Sequence, residues 1–194
     1  MSLKERVYSI LLVSASEKTN SNILNMLPSS KYGAVQTVGS VAAAKRLIAE
    51  RDFDFVIVNS PLPDDSGMRF SIDASAKKST VVLLMVKSDL YTETFEECGK
   101  FGVFLISKPL SVSTMALAID WLKSARERLR QTEKKVLSIE EKMAEIRLVN
   151  RAKWLLMTEL KMSEPDAHRY IEKQAMDRCV SKRITAEDII KTYG

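Results

Sequence analysis

Apolar residues in the first hundred positions follow two rhythms that take turns. "VYSILLV" (7–13) is nearly continuous, as in a strand buried on both faces. "SEKTNSNILNML" (16–27) instead carries Ile23, Leu24, Met26 and Leu27 at helical spacing and stops at Pro28. The exchange then repeats: "AVQTV" (34–38) reads as a strand and "SVAAAKRLIAE" (40–50) as a helix. "FDFVIV" (53–58) is a strand that runs into Asn59 and a loop with Pro61, Pro63 and Gly67, from which a weak helix starts. "TVVLLMV" (80–86) is a fourth strand, a helix follows around 91–99, and "VFLIS" (103–107) is a fifth strand. Five βα units with short connections predict an α/β class, a five-stranded, doubly wound parallel sheet covered on both faces.

After Pro109 the rhythm changes. From about Val112 to Leu160 neither Pro nor Gly occurs, which permits one very long helix. About 45 residues at 1.5 Å each is roughly 70 Å, more than one small domain covers. With position a at 115, the sevens fall on Met115, Leu122, Leu129, Val136, Met143 and Asn150, and position d on Ala118, Ala125, Thr132, Ile139, Ile146 and Lys153. Apolar a positions in strict register predict a coiled coil and a homodimer, with Met115, Leu122, Leu129, Val136, Ile139 and Met143 as its contacts. The other reading of this helix is that it packs on its own domain. Two shorter helices follow. Ser163 is an N-cap with Asp166 three residues on and Pro165 in the first turn, ahead of Ala167, Tyr170, Ile171, Ala175 and Met176 at helical spacing. "TAEDIIKTY" repeats the device with Thr185 and Asp188. The expected division is an α/β domain at 1–111, a coiled-coil linker at 112–145 and a small three-helix domain at 146–194, which is too small to be very stable alone.

Charge separates these parts. Lys and Arg total 30 against 25 Asp and Glu in 194 residues, and the net +5 lies wholly beyond residue 122. Any polyanion is therefore expected at the C-terminal third, though a solvated helix surface would look the same. The apolar runs are far too short to span a membrane, and the N-terminus has no small-residue cleavage site. Cys98 and Cys179 have no metal-like spacing and read as reduced thiols. A cytoplasmic protein without membrane contact, metal or cofactor is expected. His168 is the only histidine, and no nucleophile–base pair stands out, so no enzymatic activity is expected.

The strand ends carry a first resemblance. With Pro and Gly after the third strand and Lys108-Pro109 directly after the fifth, this half resembles the receiver domain of bacterial response regulators. The resemblance implies two acids after the first strand and an Asp ending the third, which bind a divalent metal, the Asp also accepting a phosphoryl group. It further implies a hydroxyl residue ending the fourth strand and a Lys after the fifth. Clustered carboxylates make a hard oxygen site for Mg²⁺, and metal and Lys neutralise the transferring group. Here Ser14 and Ala15 stand where acids belong, Asn59 at the acceptor position and Met85 at the hydroxyl position; only Lys108 is retained. The aromatic switch position falls on Leu105, with Phe104 beside it. An amide cannot form an acyl phosphate, so no phosphoacceptor and no metal site are expected. Asp64 and Asp65 read as turn or helix-start residues. Lys108 is expected to bond Asn59 or loop carbonyls, and the resemblance implies a cis peptide at Lys108-Pro109.

Residues 147–190 carry a second. "AKWLLM" followed by "MSEPDAHRYIEKQAM" resembles the ANTAR domain, a three-helix RNA-binding module of bacterial transcription antiterminators. Ala152, Lys153, Leu156, Met157, Ser163, Glu164, Ala167, Ala175 and Met176 fit its pattern; Trp154 replaces the common Gly, and His168 sits where an aromatic is usual. Candidate phosphate contacts are Arg147, Arg151, Lys153, Arg169 and Lys173, with Lys182 and Arg183 in the following turn. Tyr170 and Trp154 are candidates for stacking on an unpaired base, although each also fits a small core. The whole chain resembles the amidase-operon type of antiterminator, which implies a dimeric regulator binding hairpins in nascent mRNA leaders. It also implies control through a sensor protein rather than phosphoryl transfer. The alternatives are a DNA-binding response-regulator-like protein, or a coiled-coil adaptor that binds only proteins.

Overall fold

Strand β1 (Ile10–Val13) has no polar side chain and is buried throughout. β3 (Phe55–Asn59) is likewise buried along its length, and β4 (Val81–Lys87) up to its final lysine. Such strands need cover on both faces. In the computed structural model, which describes residues 7–28, 32, 33 and 35–194, they join β2 (Gln36–Val38) and β5 (Phe104–Lys108) in one parallel sheet of order β2-β1-β3-β4-β5. The expected α/β class and five-stranded topology are both present. β1 starts at Ile10 rather than 7, Tyr8 contributing only an isolated bridge to Tyr32; residue 34 of the expected second strand lies outside the described residues.

Side chains alternate between the faces. Leu11, Val13, Val56, Val58, Val82 and Leu84 pack with Val41, Phe70, Ala74 and Cys98 from α2 (Val41–Glu50), α3 (Met68–Ser75) and α4 (Tyr91–Cys98). Ile10, Leu12, Phe55, Ile57, Leu83 and Met85 pack on the other face with Ile23 of α1 (Glu17–Asn25) and with Met115, Ala118, Ile119 and Leu122. Ser16 and Ser40 cap α1 and α2 by accepting the backbone N–H of Thr19 and Ala43. Gly67, before α3, has φ +78°, and a Cβ there would sit 2.7 Å from Val58 Cγ1, so a side chain is excluded by backbone and by space.

Helix α5 runs unbroken from Val112 to Glu159, 48 residues. Its first turns belong to the sheet: Met115 and Leu122, expected at a dimer seam, are 4% and 1% exposed within this chain. The heptad reading correctly marks an apolar side, but for these two residues the cover is the chain's own sheet. Leu129, Val136, Ile139, Met143 and Ile146, by contrast, are all exposed. Where the covered part ends, buried Arg126 donates from Nε to Asp54 Oδ1 at 2.9 Å, and Asp54 Oδ2 accepts both the N–H and the hydroxyl of Ser9. The chain divides into two compact units, 1–131 and 132–194, and that division falls inside α5.

In the second unit Ala152 and Leu156 of α5 meet Ala167 and Ile171 of α6 (Glu164–Asp177) and Ala186 and Ile189 of α7 (Lys182–Tyr193). Alanines at the contacts let the end of α5 and the two shorter helices approach closely. Ser163 caps α6 as expected, accepting from Asp166 N–H. The cap of α7 is Ser181 rather than Thr185, which is buried inside the helix. Each connection turns through a left-handed residue, Lys161 at φ +54° and Cys179 at φ +52°. The next N–H then reaches back over the helix end, Met162 to Leu156 O and Val180 to Ala175 O, without a glycine.

The Arg126–Asp54 pair generates a prediction. Arg126→Ala leaves a carboxylate in a site where it has lost its charge partner and is expected to destabilise the first unit by about 3 kcal/mol. Urea unfolding of the full chain in a Trp154→Phe background, followed by Trp121 fluorescence, checks this; an unchanged midpoint contradicts it.

Candidate functional site

Two places on the chain could carry function: the carboxyl end of the sheet, and the outward faces of the second unit. At the sheet end, β1 delivers Ser14, β3 delivers Asn59, β4 places Met85 opposite Asn59 in register, and β5 ends in Lys108. Lys108 Nζ donates to Asn59 Oδ1 at 2.8 Å and to the carbonyl of Ser60. An ammonium only donates, so the amide oxygen faces Lys108 and Asn59 Nδ2 is left to donate to Ser14 Oγ, at 3.0 Å. Burial pushes the Lys108 ammonium below its ordinary pKa, and the neighbouring Lys87 charge adds to this. Met85 is fully buried and Ala15 is exposed, so neither adds a polar group. Lys108-Pro109 is cis, as is Ser60-Pro61.

The nearby acids are engaged elsewhere. Asp64 accepts the N–H groups of Val41 and Ala42, capping α2, and these bonds hold its carboxyl below its ordinary pKa. Asp65 accepts the Gly67 N–H at 2.7 Å in the turn before α3. Among the described residues no group of three His, Cys, Asp or Glu is placed to hold a metal ion. Leu105, at the expected switch position, is buried, while Phe104 is only partly so. The arrangement is a closed hydrogen-bond relay with no carboxylate in it.

In the second unit, ion pairs sort the expected RNA contacts. Lys153 Nζ lies 2.6 Å from Glu164 Oε1, tying α5 to the start of α6, and Glu164 is held below its ordinary pKa by this contact. Lys182 pairs with Glu172 at 2.5 Å, Arg178 with Asp188 at 2.7 Å and Arg183 with Glu187 at 3.1 Å. No carboxylate among the described residues is within 4.0 Å of Arg147, Arg151, Arg169 or Lys173, and all four are exposed. At 100° per residue, Arg169 and Lys173 project opposite the Ala167–Ile171–Ala175 stripe that α6 buries. Arg147 projects opposite Ala152 and Leu156 on α5, and Arg151 lies on the flank, about 100° from Ala152.

The aromatic candidates separate too. Tyr170 rests against the bundle core, whereas Trp154 is exposed. Met176, expected on the apolar face of α6, is 77% exposed beside Lys173. The last helix, read from Thr185 in the sequence, starts three residues earlier, with Lys182 and Arg183 in its first turn. Apart from Arg183–Glu187, four residues apart on α7, these pairings were not available to sequence spacing, because the partners of Lys153, Arg178 and Lys182 lie on other elements.

Comparison with known proteins agrees with both halves. Residues 138–190 match the ANTAR domain. The transcriptional regulatory protein PdtaR of Mycobacterium tuberculosis, in strains CDC 1551 / Oshkosh and ATCC 25618 / H37Rv, is 28% identical over 176 residues, covering 89% of this chain and 84% of the relative. Among solved structures, the signal receiver domain of an HD domain-containing protein from Pseudomonas fluorescens Pf-5 superposes with a TM-score of 0.56 at 23% identity, over 69% of this chain and 96% of that one. Chemotaxis response regulator CheY4 of Vibrio cholerae superposes with a TM-score of 0.52 at 19% identity, over 60% of this chain and 98% of that one. The structural likenesses establish a receiver-like fold.

The relay at the sheet end predicts the behaviour of a restored acceptor. Asn59→Asp is expected to remain unphosphorylated by acetyl phosphate with Mg²⁺, because Ser14 and Ala15 still supply no metal ligand. A phosphate-affinity gel should show one band; a retarded second band contradicts the reading.

Proposed function

We propose that this chain, which carries an ANTAR domain behind a receiver-like fold, is a dimeric regulator of transcription that binds hairpins in nascent mRNA and favours an antiterminated transcript. The observation that carries this reading is the ANTAR match over 138–190 together with exposed, unneutralised cations on the outward faces of the same unit. Arg147, Arg151, Arg169 and Lys173 are the phosphate contacts. Lys153 and Lys182, each within reach of a glutamate, contribute to helix packing. Similarity to PdtaR over most of both chains supports a regulatory role.

No catalytic step is needed. A protein that binds one RNA fold more tightly than its competitor shifts the population by that difference in affinity. The Asn59–Lys108–Ser14 relay supports control by a partner seated on the receiver-like unit rather than by phosphoryl transfer. The exposed side of α5 at Leu129, Val136, Ile139, Met143 and Ile146 supports a coiled-coil homodimer, its seam lying beyond the turns that pack on the sheet. Two copies of a small binding module then engage one transcript bivalently, which raises avidity without new contacts. Among the described residues no helix is long and apolar enough to cross a membrane, in keeping with work on transcripts in the cytoplasm.

A gel shift against RNA with paired hairpin loops, with duplex DNA of similar charge as competitor, tests the reading. Loop-dependent binding is expected, with Arg169→Ala or Arg151→Ala each lowering the log–log salt slope by about 1. Equal affinity for duplex DNA would move the assignment to a DNA-binding regulator, and no binding to either would favour the protein adaptor. For the dimer, Ile139→Asp combined with Met143→Asp is expected to give a monomer in sedimentation equilibrium; an intact dimer would place the seam elsewhere.

A further inference from the structure

The second unit has three aromatic residues. Tyr170 leans on the core and Tyr193 lies in the last turn of α7, but Trp154 is 65% exposed, five residues before the end of α5. It lies two residues from both Ala152 and Leu156, which point into the bundle, so its ring projects from the opposite side of α5. The positions that share this side are one or two turns away: Arg147, Asn150, Arg151, Met157 and Thr158. None is acidic, and neither arginine has a carboxylate within 4.0 Å among the described residues. The result is a large flat apolar surface set among uncompensated guanidinium groups.

That combination selects its occupant. A second copy of the same face would bring Arg147 and Arg151 against like charges, which disfavours self-association there. An apolar peptide would bury the ring but leave the guanidinium groups without partners. A single-stranded polyanion satisfies both, because each nucleotide carries a π-face and a phosphate. Duplex nucleic acid does not, since its bases are already stacked and paired. We propose that Trp154 is a stacking platform for one unpaired loop base, with Arg147 and Arg151 holding the phosphates on either side of it. This rests on the RNA-binding reading above and names the part of the hairpin that is recognised.

The test uses the full chain and the hairpin RNA, with Trp154→Ala, Trp154→Phe and an abasic scan of the loop. Because the ring is exposed, the variants should fold, which circular dichroism confirms. Trp154→Ala is expected to weaken loop binding about tenfold or more, and Trp154→Phe much less, since Phe keeps a stacking face. One abasic position should cost the same factor in the wild type and nothing further in Trp154→Ala. In a Trp121→Phe background, adding the hairpin should quench Trp154 fluorescence. Unchanged affinity in Trp154→Ala overturns the platform, as does an additive abasic penalty at every loop position. Loss of the dimer in Trp154→Ala overturns it as well and assigns the ring to the seam. Wild-type protein that ignores loop RNA altogether would overturn the RNA-binding reading itself, an outcome separate from these three.

Discussion

Burial of the first turns of α5 against the sheet is the contact on which the arrangement depends. α1 alone leaves part of one face of Ile57, Leu83 and Met85 uncovered, and Met115, Ala118, Ile119 and Leu122 complete it. Each fully buried aliphatic side chain contributes about 1.5–3 kcal/mol, so this helix is part of the domain core rather than a tether attached to it. Arg126 closes the contact, its guanidinium matched to Asp54, which is fixed in turn by Ser9. Past that residue, at Leu129, Val136, Ile139, Met143 and Ile146, the same helix keeps its apolar rhythm with the side chains exposed. One amphipathic pattern thus serves two kinds of partner in succession, first the sheet and then, on the dimer reading, a second helix.

The carboxyl end of the sheet obeys a different constraint. A half-buried ammonium must find acceptors, and here the Asn59 oxygen and the Ser60 carbonyl supply them. The amide then has a donor to spare, which Ser14 accepts. A carboxylate at 59 could answer Lys108 but could not donate to Ser14, and it would gather charge that no metal balances. The residues at this end therefore satisfy one another, and their charge is not poised to change with a phosphoryl group. On the proposed reading, control acts through surfaces instead, which accords with a receiver-like fold that carries this polar relay at its sheet end.

Much of the first unit was legible because parallel strands buried on both faces leave an unmistakable apolar run, and in the second unit Ser163 announces α6 by its capping chemistry. Periodicity was less informative where it mattered for function. It says that one side of α5 is apolar but not what covers it, so Met115 and Leu122 read as seam and proved to be core. The α7 cap was misplaced because Ser181 and Thr185 are both competent hydroxyls four residues apart, and packing of Thr185 against the bundle decided between them. The stops at Lys161 and Cys179 lack the glycine that usually marks a left-handed turn, so no sequence signal fixed them. Trp154 and Tyr170 looked equivalent as amphipathic aromatics; only the bundle's own geometry sends one outward.

Charge in the second unit follows the same lesson one level up. Counting cations gives a basic segment, but the physical distinction is between those already answered by carboxylates and those that are not. Exposed ion pairs such as Lys153–Glu164 and Lys182–Glu172 are worth little in water, yet they fix where α6 and α7 present their remaining charges. The unpaired guanidinium and ammonium groups on the outward faces keep their whole field for a partner, and a polyanion is the partner that gains most from it. A few such contacts bind weakly and depend on salt, so a single module is a poor regulator alone. On the proposed reading, specificity comes from what phosphates cannot report, the presence of an unstacked base, and affinity from two modules on one dimer. On that reading the exposed ring of Trp154 and the exposed apolar side of α5 supply those two properties from a single helix.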